Sequence, residues 1–199
     1  MKTLILMRHA KSSWKSSELE DRYRPLSARG IKDIPVMCKR LQKHVDQQPN
    51  SVDKILSSPA VRASQLAESV VKSLGAPLEY GEDLYVFDAN GLDKMVSALP
   101  DTLKSVVLIG HNPAITDWVN RVCENALIFN VPTAGFVSLG FGALTWRSVG
   151  FWEGALYKSE LQEREQLAEH KKGVLLEFSY PKLSHQCAEG QKSKRKSVE

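Results

Sequence analysis

The chain has 199 residues, 42% of them hydrophobic and 25% charged, which is enough to bury a full core and is most simply one domain. Its formal charge of +4 is concentrated at the end: the last ten residues, GQKSKRKSVE, hold four basic side chains and one acid, and without them the charge falls to +1, so nucleic-acid binding by the domain is not indicated. The apolar run after Lys2 stops at Arg8, too short for a secretory signal, and no later run approaches membrane-spanning length, so a cytoplasmic protein without membrane contact is expected.

Cys38, Cys123 and Cys187 are far apart and form neither a C-x-x-C pair nor any other metal-ligand spacing, which suits reduced structural thiols. The expected boundary lies near residue 185, with 1–185 a folded domain and 186–199 a basic, disordered tail. KSKRK in that tail reads either as a patch for an anionic partner or as a solvated terminus.

In chain order, residues 2 to 7 are apolar and β-like, and end at the pair Arg8-His9. A helix over 33–47 would carry Ile34, Met37, Cys38, Leu41 and Val45 on one face, with Pro35 tolerable only in its first turn. A short strand over 52–58 precedes SSPAVRASQLAESVVKSLG, a helix with Ser58 as N-cap, Pro59 in its first position and Gly75 at its end. PLEY (77–80) and SVVLIG (105–110) are further strands. HNPAITDWVNRVCE repeats the helix start, with Asn112 as cap and Pro113 opening. GFVSLGF (135–141) is a strand, residues 158 to 172 a polar exposed helix, and GVLLEFSYP a last strand. Strands alternating with helices predict a single-domain α/β fold, with a mostly parallel central sheet covered by helices on both faces.

Ligands of open α/β sheets bind beyond the carboxyl ends of the strands. Arg8 and His9 end the first strand, His111 follows SVVLIG, and Arg62 falls in the first turn of the helix after ILSS. A lone histidine at a strand end is more often structural than catalytic, and a lone arginine there is usually a surface charge; their joint placement raises the functional reading. Zinc is disfavoured, because there is no H-E-x-x-H and no paired cysteine, and the arginines oppose a cation by about 4 kcal/mol per pair at about 4 Å and an effective dielectric of about 20. The same field favours a dianion, and planar guanidinium matches phosphate oxygens.

Elimination narrows the nucleophile. A phosphate-cradling cysteine loop needs an arginine six positions after its cysteine, and those positions hold His44, Phe129 and Ser193. G-x-x-x-x-G-K-[ST] and G-x-S-x-G are both absent. His9 remains, since flanking positive charge lowers an imidazole's pKa and keeps it neutral and nucleophilic near pH 7.

LILMRHAKSSW, RPLSARG, ILSSPAVRASQLAESV, LIGHNP and VPTAGFVSLGF together resemble the histidine phosphatase (phosphoglycerate-mutase-like) superfamily, and within it the SixA-type phosphohistidine phosphatases. The resemblance runs from about residue 2 to YPKL near residue 183, and departs from the commonest pattern in having Ala10 where glycine is usual, as the SixA-like branch does. It implies that His9 takes the phosphoryl group, that Arg8 and Arg62 grip it, that His111 is the second pocket histidine, and that Arg24 of RPL reaches the pocket rim. Lys11 and Ser12 either touch the substrate or merely shape the loop, and Asn112 falls among the substrate-binding positions.

The implied chemistry is in-line attack by His9, donation to the equatorial oxygens by Arg8, Arg62 and, if it is protonated, His111, and hydrolysis of the phosphohistidine by water, with no cofactor and no metal. Attack through Nε2 requires the Nδ1 proton to be held by a backbone carbonyl. Glu82, Asp83 and Asp88 are the candidate general acids, each also readable as a solvated loop carboxylate. A phosphohistidine leaving group, whose conjugate acid has a pKa of about 6.5, needs little such help. The expected substrate is therefore a phosphorylated protein of the histidine phosphotransfer type, acted on by a monomer. The alternatives are a small phosphoester or phosphorylated metabolite, and a phosphate-binding module without turnover.

Overall fold

The computed structural model describes residues 1–14, 18–125, 127–149 and 173–182. The expected polar helix at 158–172, the tail at 186–199 and Cys187 lie outside the described residues.

Strand β1 (Lys2–Arg8) carries Leu4, Ile5, Leu6 and Met7, all 0% exposed, and a strand buried on both faces belongs at the centre of a sheet. Its period-two alternation divides the core. Leu4 and Leu6 face one cluster with Val106, Leu108, Trp118 and Phe141, while Ile5 and Met7 face another with Met37, Leu41, Leu66 and Val107. The other elements are α1 (Ala28–Asp46), β2 (Lys54–Ser57), α2 (Val61–Leu74), β3 (Leu78–Tyr80), α3 (Ala89–Ser97), β4 (Ser105–Gly110), α4 (Ala114–Val122), β5 (Phe136–Phe141) and β6 (Val174–Ser179). Helices α1 and α2 supply the second cluster, α3 and α4 the first, so the sheet is covered on both faces.

The sheet has six strands in the order β3-β2-β4-β1-β5-β6. The strands from β3 to β1 are mutually parallel, and β5 runs antiparallel to both β1 and β6. This is the expected α/β single-domain arrangement with a mostly parallel sheet.

Local chemistry moved several helix starts. Helix α1 begins at Ala28, capped by Ser27 Oγ accepting from the Gly30 N–H at 3.1 Å, so Pro35 sits in the helix interior and not in its first turn. Proline leaves the carbonyl of Ile31 without its helical donor, and because both residues are exposed, water can meet it. Helix α2 begins at Val61 with Ala60 as N-cap, and Ser58 and Pro59 both precede it. Its end is as expected, with Gly75 in the left-handed region at φ 70°. In α4, Pro113 is the N-cap, and the Asn112 side chain turns instead to Asn130 Oδ1 and the Val131 carbonyl. Helix α3 has no counterpart among the elements predicted above; Asp88, a candidate acid by sequence, caps it by accepting from the Gly91 N–H at 2.9 Å.

Candidate active site

Strand register builds the pocket. Arg8 lies opposite Gly110 in the parallel β1–β4 pair, so the next residues on each strand, His9 and His111, leave the sheet side by side with ring centroids 5.1 Å apart. The His9 N–H donates to the Gly110 carbonyl at 3.0 Å. Strand β2 is registered with Ser57 opposite Ile109, which brings Ser58 beside the same edge. Ala134, at φ 61°, donates its N–H to the carbonyls of Arg8 and His9 and ties the β5 approach to the end of β1.

The RPL segment is fastened to the loop after His9. Ser12 bridges Leu26, Ser13 N–H donates to the Pro25 carbonyl at 2.8 Å, and Ser27 N–H to the Lys11 carbonyl at 2.8 Å. A Cβ on Gly30 would lie 2.3 Å from the Lys11 carbonyl oxygen, so the approach of α1 to this loop requires glycine. Ser12 is buried, and the Lys11 side chain is exposed while its carbonyl serves as the loop's acceptor.

His9 is 9% exposed, and its Nδ1 lies 2.7 Å from the carbonyl oxygen of Ala10. A carbonyl only accepts, so the proton is on Nδ1 and Nε2 keeps its lone pair. Burial, against the bond to Ala10 and joined by the charges of Arg62, Arg8 and Arg24, brings the His9 pKa down to about 3. At neutral pH the ring is an uncharged base among three cations.

His111 is 1% exposed and also lowered to about 3, by burial first and then by His9 and Arg62. A guanidinium only donates, so Arg62 Nη2, 3.3 Å from His111 Nδ1, makes Nδ1 the acceptor and places the proton on Nε2, which donates to Ser58 Oγ at 2.8 Å. His111 is therefore neutral, because the buried edge of the sheet disfavours further positive charge beside the arginines, and the condition under which it would donate as a cation is not met.

The arginines come from three segments. Arg8 Nη1 donates to the Val131 carbonyl at 2.9 Å and to Asn130 Oδ1 at 3.2 Å, and the Asn112 amide donates to the same two acceptors. Arg62, 1% exposed, donates through Nη1 to the Asp21 carbonyl at 2.5 Å and through Nη2 to Asp21 Oδ2 at 2.7 Å. Arg24 pairs with Asp21 Oδ1 at 2.6 Å and stacks 3.5 Å from the ring centroid of Trp14. Arg8 Nε, Arg24 Nε, Arg24 Nη1 and Arg62 Nε are buried without a hydrogen-bond partner among the described residues. Buried cationic N–H groups of this kind suit an oxyanion with several lone pairs.

Of the candidate acids, Glu82 is exposed and paired with Arg22, Asp83 is exposed in the same 3-10 turn, and Asp88 is the α3 cap. The residues missed in the sequence are Asp21, Ser58 as a histidine partner, Asn130, Tyr85 and Phe87. Tyr85 donates to Asp21 Oδ2 at 2.6 Å and meets His111 edge-on at 5.2 Å, and Phe87 lies 5.0 Å from the same ring. Asp21, three residues before Arg24, had a signal in that spacing, but in a polar loop it reads as a solvated charge. Among the described residues, no group of three or more His, Cys, Asp or Glu is placed to hold a metal ion. No helix among them is long and apolar enough to cross a membrane.

Residues 4–108 match the family model described as the histidine phosphatase superfamily (branch 1). An uncharacterized protein of Mycobacterium leprae is 31% identical over 145 residues, 67% of this chain and 86% of that protein. A protein named as a candidate phosphohistidine phosphatase SixA from Nakamurella multipartitia shares the fold at a TM-score of 0.66 and 21% identity, over 92% of this chain and 97% of that one. A protein histidine phosphatase SixA complexed with tungstate does so at 0.60 and 22%, over 90% and 97%.

Proposed function

The chain belongs to the histidine phosphatase superfamily, and on that footing we propose that it hydrolyses protein phosphohistidine through a phosphoryl group carried on His9, without a metal. The observation that carries this reading is the His9 imidazole, with its Nδ1 proton held by the Ala10 carbonyl and its Nε2 lone pair free beside three arginines.

In the first step the Nε2 lone pair forms the bond to phosphorus as the bond to the leaving nitrogen breaks. The ring becomes a cation on phosphorylation, and the Ala10 carbonyl accepting from Nδ1 stabilises that charge. Arg8, Arg24 and Arg62 present guanidinium N–H groups to the equatorial oxygens, where fixed positive charge does most of the work in phosphoryl transfer. Neutral His111, accepting from Arg62 at Nδ1, orients that guanidinium. Water then attacks phosphorus, the N–P bond breaks to return His9 neutral with its lone pair, and both protons of the water leave on dihydrogen phosphate.

The carboxylates near the pocket support a phosphoramidate substrate over an ester. Glu82 is paired with Arg22, Asp88 caps α3, and Asp21 is held at about pKa 2, so it is ionised at neutral pH and cannot protonate a departing alkoxide. Imidazole, with a conjugate acid near pKa 6.5, leaves with far less assistance.

The test is turnover of a phosphorylated histidine phosphotransfer domain against a panel of small phosphoesters, with chelator present. The phosphoprotein is expected to be the faster substrate, and His9→Ala is expected to abolish turnover. Activity persisting in His9→Ala defeats the nucleophile, loss of activity with chelator defeats the metal-free mechanism, and faster turnover of a small ester replaces the substrate with that class.

A further inference from the structure

Arg62 is 1% exposed, and a guanidinium that cannot lose its charge requires a counter-ion when taken out of water. Asp21 provides it from the 3-10 turn Asp21–Tyr23, through both its carboxylate and its main-chain carbonyl. The same carboxylate holds Arg24 through Oδ1 and accepts from the Tyr85 hydroxyl at Oδ2. One side chain thus joins the RPL segment, the first turn of α2 and the loop before α3, three segments that share no strand pairing. Burial acts to raise the Asp21 pKa, and the hydrogen bonds of Tyr85 and Arg62 with the charges of Arg62 and Arg24 overcome it, leaving it at about 2.

We propose that Asp21 is a positioning residue for phosphate binding, locking Arg24 and Arg62 by one edge each so that their other N–H groups stay aimed at the phosphoryl site beside His9. This rests on the phosphatase reading of that site. A carboxylate against two arginines could instead be a competitor that the substrate must displace, and the donor inventory speaks for the frame. Asp21 takes Nη2 of both arginines and Nη1 of Arg62, and leaves Arg24 Nε, Arg24 Nη1 and Arg62 Nε buried and unpartnered among the described residues. A competitor would consume those donors; a frame leaves them.

The two roles predict opposite signs. Removing a negative charge from beside a dianion's site strengthens phosphate binding by Coulomb's law, whereas removing the residue that holds two arginines weakens it. Inorganic phosphate is titrated calorimetrically into the full chain and into Asp21→Asn, Asp21→Ala, Tyr85→Phe and Arg62→Ala, with the melting temperature of each. Asp21→Ala is expected to weaken phosphate binding by about tenfold or more, Asp21→Asn by less because one acceptor oxygen survives, and Tyr85→Phe by about two- to threefold.

Phosphate binding to folded Asp21→Ala or Asp21→Asn as tightly as to wild type, or more tightly, overturns the proposal in favour of the competitor. Weakened binding that only tracks a loss of folded Asp21→Asn at the assay temperature overturns it in favour of a stability role. Failure of a different kind would strike the underlying reading: a wild-type chain that does not bind phosphate, or binds it undiminished by Arg62→Ala, removes the phosphate site and this assignment with it.

Discussion

Two buried histidines make the fold acid-sensitive in a window set by their own chemistry. His9 and His111 each have a folded-state pKa of about 3, against the 6.5 of a free imidazole, so the unfolded chain binds more protons than the folded one between those values. Stability therefore falls as pH drops below about 6.5 and levels off near 3. Between pH 7 and pH 5 the linkage relation gives about 2 kcal/mol lost per histidine, or about 4 kcal/mol for both. That is a large share of the roughly 5–15 kcal/mol that holds a typical domain. Asp21 acts in the same sense but in a lower window: its lowered pKa adds stability above about 3.8 that is lost only between there and about 2, so it does not contribute between pH 7 and pH 5. His44, also lowered by burial, acts in the same sense as the pair.

Urea unfolding at pH 7, 6 and 5 measures this, in wild type and in His9→Asn and His111→Gln. Asparagine keeps a donor near the Ala10 carbonyl, and glutamine one near Ser58. Each variant should lose about 2 kcal/mol less than wild type over that range. Equal stability of wild type at pH 7 and pH 5, or a loss that neither variant reduces, would refute the assignment of both rings as buried neutral bases. The kinetic counterpart is that turnover, corrected for ionisation of the substrate, should show no acid limb near pH 6.5.

Gly30→Ala should destabilise the fold by about 1–3 kcal/mol, because a Cβ 2.3 Å from the Lys11 carbonyl forces the His9 loop away from α1; a thermal melt and a kcat measurement together check it. An unchanged melting temperature would remove Gly30 from the list of residues that position that loop. Ser58→Ala leaves the buried Nε2 proton of His111 without an acceptor and should cost about 1–3 kcal/mol, with a fall in kcat as the His111 ring loses its fixed orientation. Loss of stability with kcat unchanged would confine Ser58 to a structural role.

The apolar strands were legible because a residue buried on both sheet faces has to be apolar, and β1 stops being so at Arg8. The same reasoning located His111 after β4 and Arg62 at the start of α2. Helix starts were less legible, since a serine or asparagine is a cap only if nothing better claims its side chain. At Ser58 the oxygen accepts from His111 at 2.8 Å as well as from the Ala60 N–H at 3.3 Å, and at Asn112 the claimants are Asn130 and Val131. Helix α3 is hard to read from sequence because the carboxylate of Asp88 suits a helix N-cap and a loop acid equally, and only the Gly91 N–H bond decides between them.

What the amino-acid order determined by itself was the period, the punctuation and the residue types: which segments could be buried strands, and which titratable groups stood at their ends. Pairing was decided only in three dimensions, because strand register is a property of two segments at once. Arg8 opposite Gly110 makes neighbours of His9 and His111, 102 positions apart in the chain. The protonation of those rings was decided there too, since a pKa depends on what displaces water from the imidazole and on which partner holds each nitrogen. Asp21 marks the boundary between the two kinds of knowledge. In the sequence it is one more acid in a polar loop, and only the convergence of Arg24, Arg62 and Tyr85 on its two oxygens gives it a role.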